Sequence, residues 1–210
     1  ILPETSMTAT ISRASAILGA ARTLAAKLLL AIPIDRAALT QAMTESAGCS
    51  DAAGGWTQRE SFEALEVALA MAIPELVGRM DAEAAVRTLE ALAKELPTHT
   101  VRSEDQIAFQ QFSTPPALAC LAVHLVRLGS EDVFLEPSAG TGIIASLAKN
   151  AVKQCLLNEL EPARAELLEG LFPGAQVYRH DGAKLAALLS STARPSVIVM
   201  NPPFSVSQSR

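Results

Sequence analysis

The stretch EPSAGTGIIASLA, Glu136–Ala148, decides how this chain is read. It follows a short apolar run, DVFLE (Asp132–Glu136), and leads into residues that favour a helix. Gly140 and Gly142 let the backbone turn tightly and approach a ligand, and the helix that follows aims its free N–H groups at the same spot. Working outward, QCLLNE (Gln154–Glu159), AQVY (Ala175–Tyr178) and SVIVM (Ser196–Met200) are further apolar runs separated by helical segments. Strands alternating with helices imply a parallel sheet with crossover helices. Ligands of such sheets bind beyond the carboxyl ends of the strands. That rule directs attention to Glu136, Glu159, the segment after Tyr178, and Asn201.

The turn satisfies G-x-G-x-x-A with Ala145 in the last place, a weak signal alone. Glu159, at the end of the second strand, is placed to bind both ribose hydroxyls of an adenosine-containing ligand. That leaves a nicotinamide cofactor and S-adenosylmethionine both open. Glu136 favours the second, because a carboxylate is unwelcome beside a pyrophosphate and useful near an ammonium or sulfonium. Asp181, in RHDGAK, is placed to accept from an adenine amino group; an Asp-Gly turn is the plain alternative. Upstream, QQFSTPPALACLAVHLVRL offers Thr114 as N-cap with Pro115 in the first helical position, and an inward face of Leu118, Leu121, Ala122 and Leu125. Phe112 and Ser113 precede it and reach the same pocket rim. At the far end VIVMNPPFS runs a buried strand into Asn201, Pro202, Pro203 and Phe204. Proline has no N–H, so the ladder must stop there and the turn is stiff.

Residues 1–104 read as a separate helical domain and 105–210 as the α/β one. In SFEALEVALAMAI, Phe62, Leu65, Leu69 and Ile73 share a face while Glu63 and Glu66 point away; Ala85, Leu89, Leu92 and Leu96 repeat the pattern. Pro74 and Pro97 are expected to close these two helices. Ser46–Gly55 reads as a loop, with Trp56 anchoring a helix end. The 17 basic and 22 acidic residues give a net charge of −5, a poor footprint for gripping nucleic acid unaided. Cys49, Cys120 and Cys155 lack zinc spacing and read as reduced core residues, and no metal site is expected. Arg22 and Lys27 interrupt the most apolar N-terminal run, so a packed helix is expected rather than a membrane span, in a cytoplasmic protein. The chain opens on Ile1 and is expected to be a piece of a longer protein.

FSTPP, FLEPSAGTG, NELEP, HDG and NPPF, in that order, resemble the motifs of class I S-adenosylmethionine-dependent DNA adenine N6-methyltransferases. The resemblance covers roughly residues 105–205 and implies a Rossmann-like core. QQFSTPP is also similar to the methylase part of phage or plasmid methylase-helicase proteins, which implies fusion to further domains such as a helicase. By resemblance, Phe112, Ser113 and Thr114 line the methionine end of the cofactor, and Glu136, Pro137, Ser138, Ala139, Gly140, Thr141 and Gly142 form its cradle. Glu159 and Leu160 take the ribose side, and Asp181 and Gly182 the adenine. Asn201, Pro202, Pro203 and Phe204 are the catalytic turn, with Asn201 also bordering the cofactor. The side-chain oxygen of Asn201 and the main-chain oxygen of Pro202 would hold the target amine, and Phe204 would stack on a flipped base. The family's sheet continues for several strands past this turn. The core is therefore expected to be incomplete, with DNA recognition lying in regions outside this chain.

Overall fold

The computed structural model describes residues 12–98, 113–189 and 194–202. Four helices come first: α1 (Arg13–Leu29), α2 (Arg36–Ala47), α3 (Gln58–Val77) and α4 (Ala82–Glu95). Each begins where a short polar side chain satisfies a free backbone donor. Ser12, Asp35, Thr57 and Asp81 fill that place, and Thr57 with Glu60 forms a reciprocal capping box. α1 packs on α2 and α3 through a face that includes Ala20, Ala21 and Leu24, all fully buried. Small side chains let the helix axes approach closely. Trp56 is buried just before α3 and donates from Nε1 to the Cys49 carbonyl, 3.0 Å away, closing the loop after α2.

Three local expectations are corrected here. Ser46 and Ala47 belong to the last turn of α2, which Gly48 ends at φ 71°. Pro74 lies inside α3 rather than closing it. The missing N–H removes one bond near the helix end, while Ile73 and Val77 stay buried on either side and hold the last turn. Glu63 does not point to solvent but is buried, and Glu66 is half-buried, because the second half of the chain supplies partners for both.

That half runs α5 (Pro116–Leu125), β1 (Val133–Glu136), α6 (Ile143–Ala148), β2 (Gln154–Asn158), α7 (Pro162–Leu171), β3 (Gln176–Tyr178), a short 3-10 turn (Gly182–Lys184), α8 (Leu185–Leu188) and β4 (Val197–Ile198). All strand pairs are parallel, in the order β3-β2-β1-β4. The fold is Rossmann-like α/β with a helical region before it. The chain steps from β1 to β2 to β3 on one side and returns to the other side for β4. The strand order therefore reverses between β1 and β4, where such sheets open a crevice at their carboxyl ends.

α5 departs from the expected face. Ala119 and Cys120 are buried, whereas Leu118, Leu121 and Leu125 are 58%, 40% and 69% exposed. α5 lies against α4 and α6, and the small residues make the close contacts. One apolar core runs through both halves, joining Leu24, Val67 and Ile73 to Phe134, Ile144 and Leu168; Leu135, Leu156 and Leu185 form a small second cluster. α1 meets α7 so closely that a Cβ on Gly170 would stand 2.4 Å from Leu18 Cδ1. The expected domain boundary at 104/105 lies outside the described residues. Among the described residues no helix is long and apolar enough to cross a membrane.

Candidate cofactor and amino-group site

Because the strands are parallel, Glu136, Asn158 and Tyr178 end at one edge of the sheet, and Asn201 follows β4 at that edge. After Glu136 the chain turns through Pro137–Gly142. Gly140 and Gly142 have φ of 55° and 86°, the left-handed region that favours glycine. The two differ in purpose. A Cβ on Gly142 would stand 2.6 Å from the Phe172 ring and 3.0 Å from Leu168, so packing also demands glycine there. Among the described residues, a Cβ on Gly140 would meet nothing within 4 Å. Gly140 therefore faces open space at the rim, where a ligand can approach the backbone.

The Glu159 carboxylate braces this turn from β2. Its Oε2 accepts from Gly140 N at 2.8 Å and its Oε1 from Glu161 N at 2.9 Å. Leu160, beside it, is 54% exposed. Beneath them Asn158, 1% exposed at the end of β2, ties the loops after β1 and β3 together. Its Nδ2 donates to the Pro137 and His180 carbonyls at 2.9 and 2.8 Å, and its Oδ1 accepts from His180 N at 3.0 Å. The sequence reading missed Asn158, although a lone amide ending an apolar strand was the signal. Gly182 comes near the same turn, since a Cβ there would stand 3.1 Å from the Pro137 carbonyl. Asp181 is exposed; its Oδ1 accepts from Ala183 N and its Oδ2 lies 3.9 Å from Lys184 Nζ. Asp181 thus caps the short 3-10 turn Gly182–Lys184.

Ser113 and Thr114, before α5, meet α3 and the segment after β4. Asn201 is half-buried and donates from Nδ2 to Thr114 Oγ1, 3.0 Å away. Thr114 is consequently not the N-cap of α5, which begins at Pro116 with Pro115 before it and no side-chain cap. A hydroxyl committed to Asn201 is not offered to the helix. Next to it, Ser113 bonds the Glu66 carboxylate, and Thr141 Oγ1 donates to Glu66 Oε2 at 3.1 Å. Glu66 thus joins the segment before α5 to the glycine turn. Behind it Arg164 Nε donates to Glu63 Oε1 at 3.0 Å, both side chains being buried. A cavity of about 200 Å³ adjoins this charged group between α3, α4 and α5. Its lining includes neither the glycine turn nor Glu159 nor Asn201. Phe112, Pro203 and Phe204 lie outside the described residues.

Glu136 is 2% exposed and packs beneath the turn, so it is neither an exposed strand-end acid nor an open wall of the cleft. Burial pushes its carboxyl well above the ordinary 4.5; a backbone hydrogen bond from Ala145 opposes this and the Glu159 charge adds to it. Its Oε2 is buried without a hydrogen-bond partner among the described residues. Burial likewise raises the Glu66 carboxyl, against the pull of Arg164. The Cys155 thiol is pushed up to about 11 by burial and by nearby Glu136, which removes it as a nucleophile at neutral pH.

These features fit an adenosine-containing cofactor: open space beside Gly140, a half-buried carboxylate at the end of β2, and an exposed leucine beside it. No protein-family model and no curated protein matches the chain. Among solved structures it is similar to a putative RNA methyltransferase, PH1948, from Pyrococcus horikoshii, with 20% identity and a TM-score of 0.42. The match covers 58% of this chain and 61% of that one, so the chain spans about three fifths of its length.

Proposed function

We propose that this chain is the core of an S-adenosylmethionine-dependent methyltransferase that acts on an exocyclic amine, with N6 of adenine in DNA as the acceptor. The observation that carries the reading is the hydrogen bond from Asn201 Nδ2 to Thr114 Oγ1. With its N–H₂ group held by the threonine, the amide has its oxygen left to present. An amide oxygen accepts but does not donate, which is what an incoming –NH₂ requires.

The residues then divide the work. Gly140 gives the cofactor room against the backbone, Glu159 accepts from the ribose hydroxyls, and Leu160 packs against the adenosine. Asp181 and Gly182 border the adenine. When bound, S-adenosylmethionine supplies an electrophilic methyl group. Asn201 Oδ1 and the Pro202 main-chain oxygen accept from the two hydrogens of the target amine and aim its lone pair across the crevice. As that nitrogen becomes positive, both hydrogen bonds strengthen, so the two oxygens favour the transition state over the ground state. Neither oxygen is basic enough to keep the proton, which passes to water. Holding both reactants in one cleft contributes much of the remaining acceleration.

An adenine in duplex DNA must leave the stack to reach this site, and Phe204 is assigned to stack on it. DNA itself is held by regions outside this chain, consistent with the net charge of −5. A nicotinamide-dependent oxidoreductase would use the glycine turn and Glu159 but leaves the Asn201 amide without a task.

The test is transfer of radiolabelled methyl from S-adenosylmethionine to pools of DNA, RNA and protein by the full-length protein. N6-methyladenine in DNA is expected, with loss of label in Asn201→Ala. Label confined to RNA or to glutamine amides would replace the acceptor and keep the chemistry. No label in any pool would contradict the reading.

A further inference from the structure

We infer that Glu66, from the helical region, is a positioning residue for the cofactor cleft, holding the glycine turn and the segment before α5 in register at the end of the cleft nearest β4. This rests on the reading above.

The geometry is specific. Glu66 stands on α3, outside every motif that points to the cofactor. It nevertheless accepts from Thr141 Oγ1, inside the glycine turn, at 3.1 Å, and from the Ser113 side chain. Thr114, the next residue, receives the Asn201 amide. A continuous path thus runs from the turn after β1, through Glu66, to the residue that orients the amide after β4. Both reactants would border this path. The carboxylate itself is steadied from behind by Arg164, which is also bonded to Glu63 on the same helix. Thr141 is 5% exposed, so its hydroxyl has little water to turn to if Glu66 is removed.

Strand order tells which end of the cofactor feels this. On the proposed reading Glu159 at β2 and Asp181 after β3 would border the adenosine side, whereas the Glu66 path joins the turn after β1 to the segment after β4. Loss of Glu66 should therefore loosen the amino-acid end and leave the adenosine end nearly as it was. A carboxylate serving only the stability of the α3–α6 contact would have no such preference.

The experiment is calorimetric titration of the full chain with S-adenosylmethionine and with 5′-methylthioadenosine, which lacks the amino-acid arm. Glu66→Ala is expected to weaken the first about tenfold and the second less than twofold. Glu66→Gln keeps an oxygen for the two hydroxyls and should recover most of the affinity. Thr141→Val, nearly isosteric and less disturbing to folding, should repeat the selective loss, and combining it with Glu66→Ala should add little. Equal weakening of both ligands, or unchanged binding in Thr141→Val and Glu66→Ala, would overturn the inference while leaving the cofactor reading intact. Wild-type protein that binds neither ligand would overturn the reading itself, and the inference with it.

Discussion

Glu136 is an acid buried at the end of a core strand, and its protonation can be followed through stability. Its folded carboxyl titrates well above the ordinary 4.5 because burial disfavours the charged form. Between those two values the unfolded chain has released a proton that the folded chain keeps, so stability falls as pH rises through the window. Below 4.5 both states are neutral at this position and the effect is gone. Glu136→Gln should therefore raise the urea midpoint at pH 7 and leave it nearly unchanged at pH 4.5. A gain of equal size at both pH values would show that charge is not the cause. Under the proposed role of the amide, Asn201→Ala is expected to keep S-adenosylmethionine affinity and abolish transfer. Parallel loss of both, followed by calorimetry and labelled transfer, would make the turn structural. Asn158 is a different case, because three backbone groups depend on it. Asn158→Leu should cost about 3 kcal/mol in urea unfolding, the penalty of leaving buried polar groups unpaired.

At the level of elements, the glycine turn separates two roles that look alike in sequence. Gly142→Ala meets both a left-handed φ and the Phe172 ring, and should cost about 3 kcal/mol of stability. Gly140→Ala meets only the φ and should cost about 1 kcal/mol. Urea denaturation distinguishes them, and equal costs would mean that the ring moves aside freely. The turn and the four strands were legible because each strand is a short apolar run bounded by turn residues, a local signal. The helix faces were less so. Periodicity marks Glu63 and Glu66 as polar but does not say that their partners Arg164 and Thr141 stand 101 and 75 residues away. Thr114 likewise has the sequence of a cap, yet its hydroxyl goes to Asn201, 87 residues on. In α5 the sequence marks the leucines as the inward face, because bulk usually marks the core. There Ala119 and Cys120 are buried instead, since close helix contact selects for small side chains. The glycine turn was therefore visible as a motif, while its bracing comes from contacts that no local pattern records.

On the scale of the whole molecule, the helical and α/β halves share one apolar core and a buried ion pair, Arg164 with Glu63. Arg164→Met removes one of the two cations on buried Glu63, Arg59 at 3.2 Å being the other, and should cost about 2 kcal/mol in urea unfolding. The shared core also predicts a single cooperative transition. Trp56, the one tryptophan, reports on the helical half, so its fluorescence and the far-UV circular dichroism should change at the same urea concentration. Transitions that separate would make the halves independent. The proposed ligand at the carboxyl ends of β1 and β4 is the methyl donor. Calorimetric titration with S-adenosylmethionine, set beside NAD, tests that assignment most directly. Saturable one-site binding of S-adenosylmethionine is expected, weakened by about 1–3 kcal/mol in Glu159→Ala, with no heat from NAD. Binding of NAD in its place, or an affinity for S-adenosylmethionine indifferent to Glu159→Ala, would contradict it.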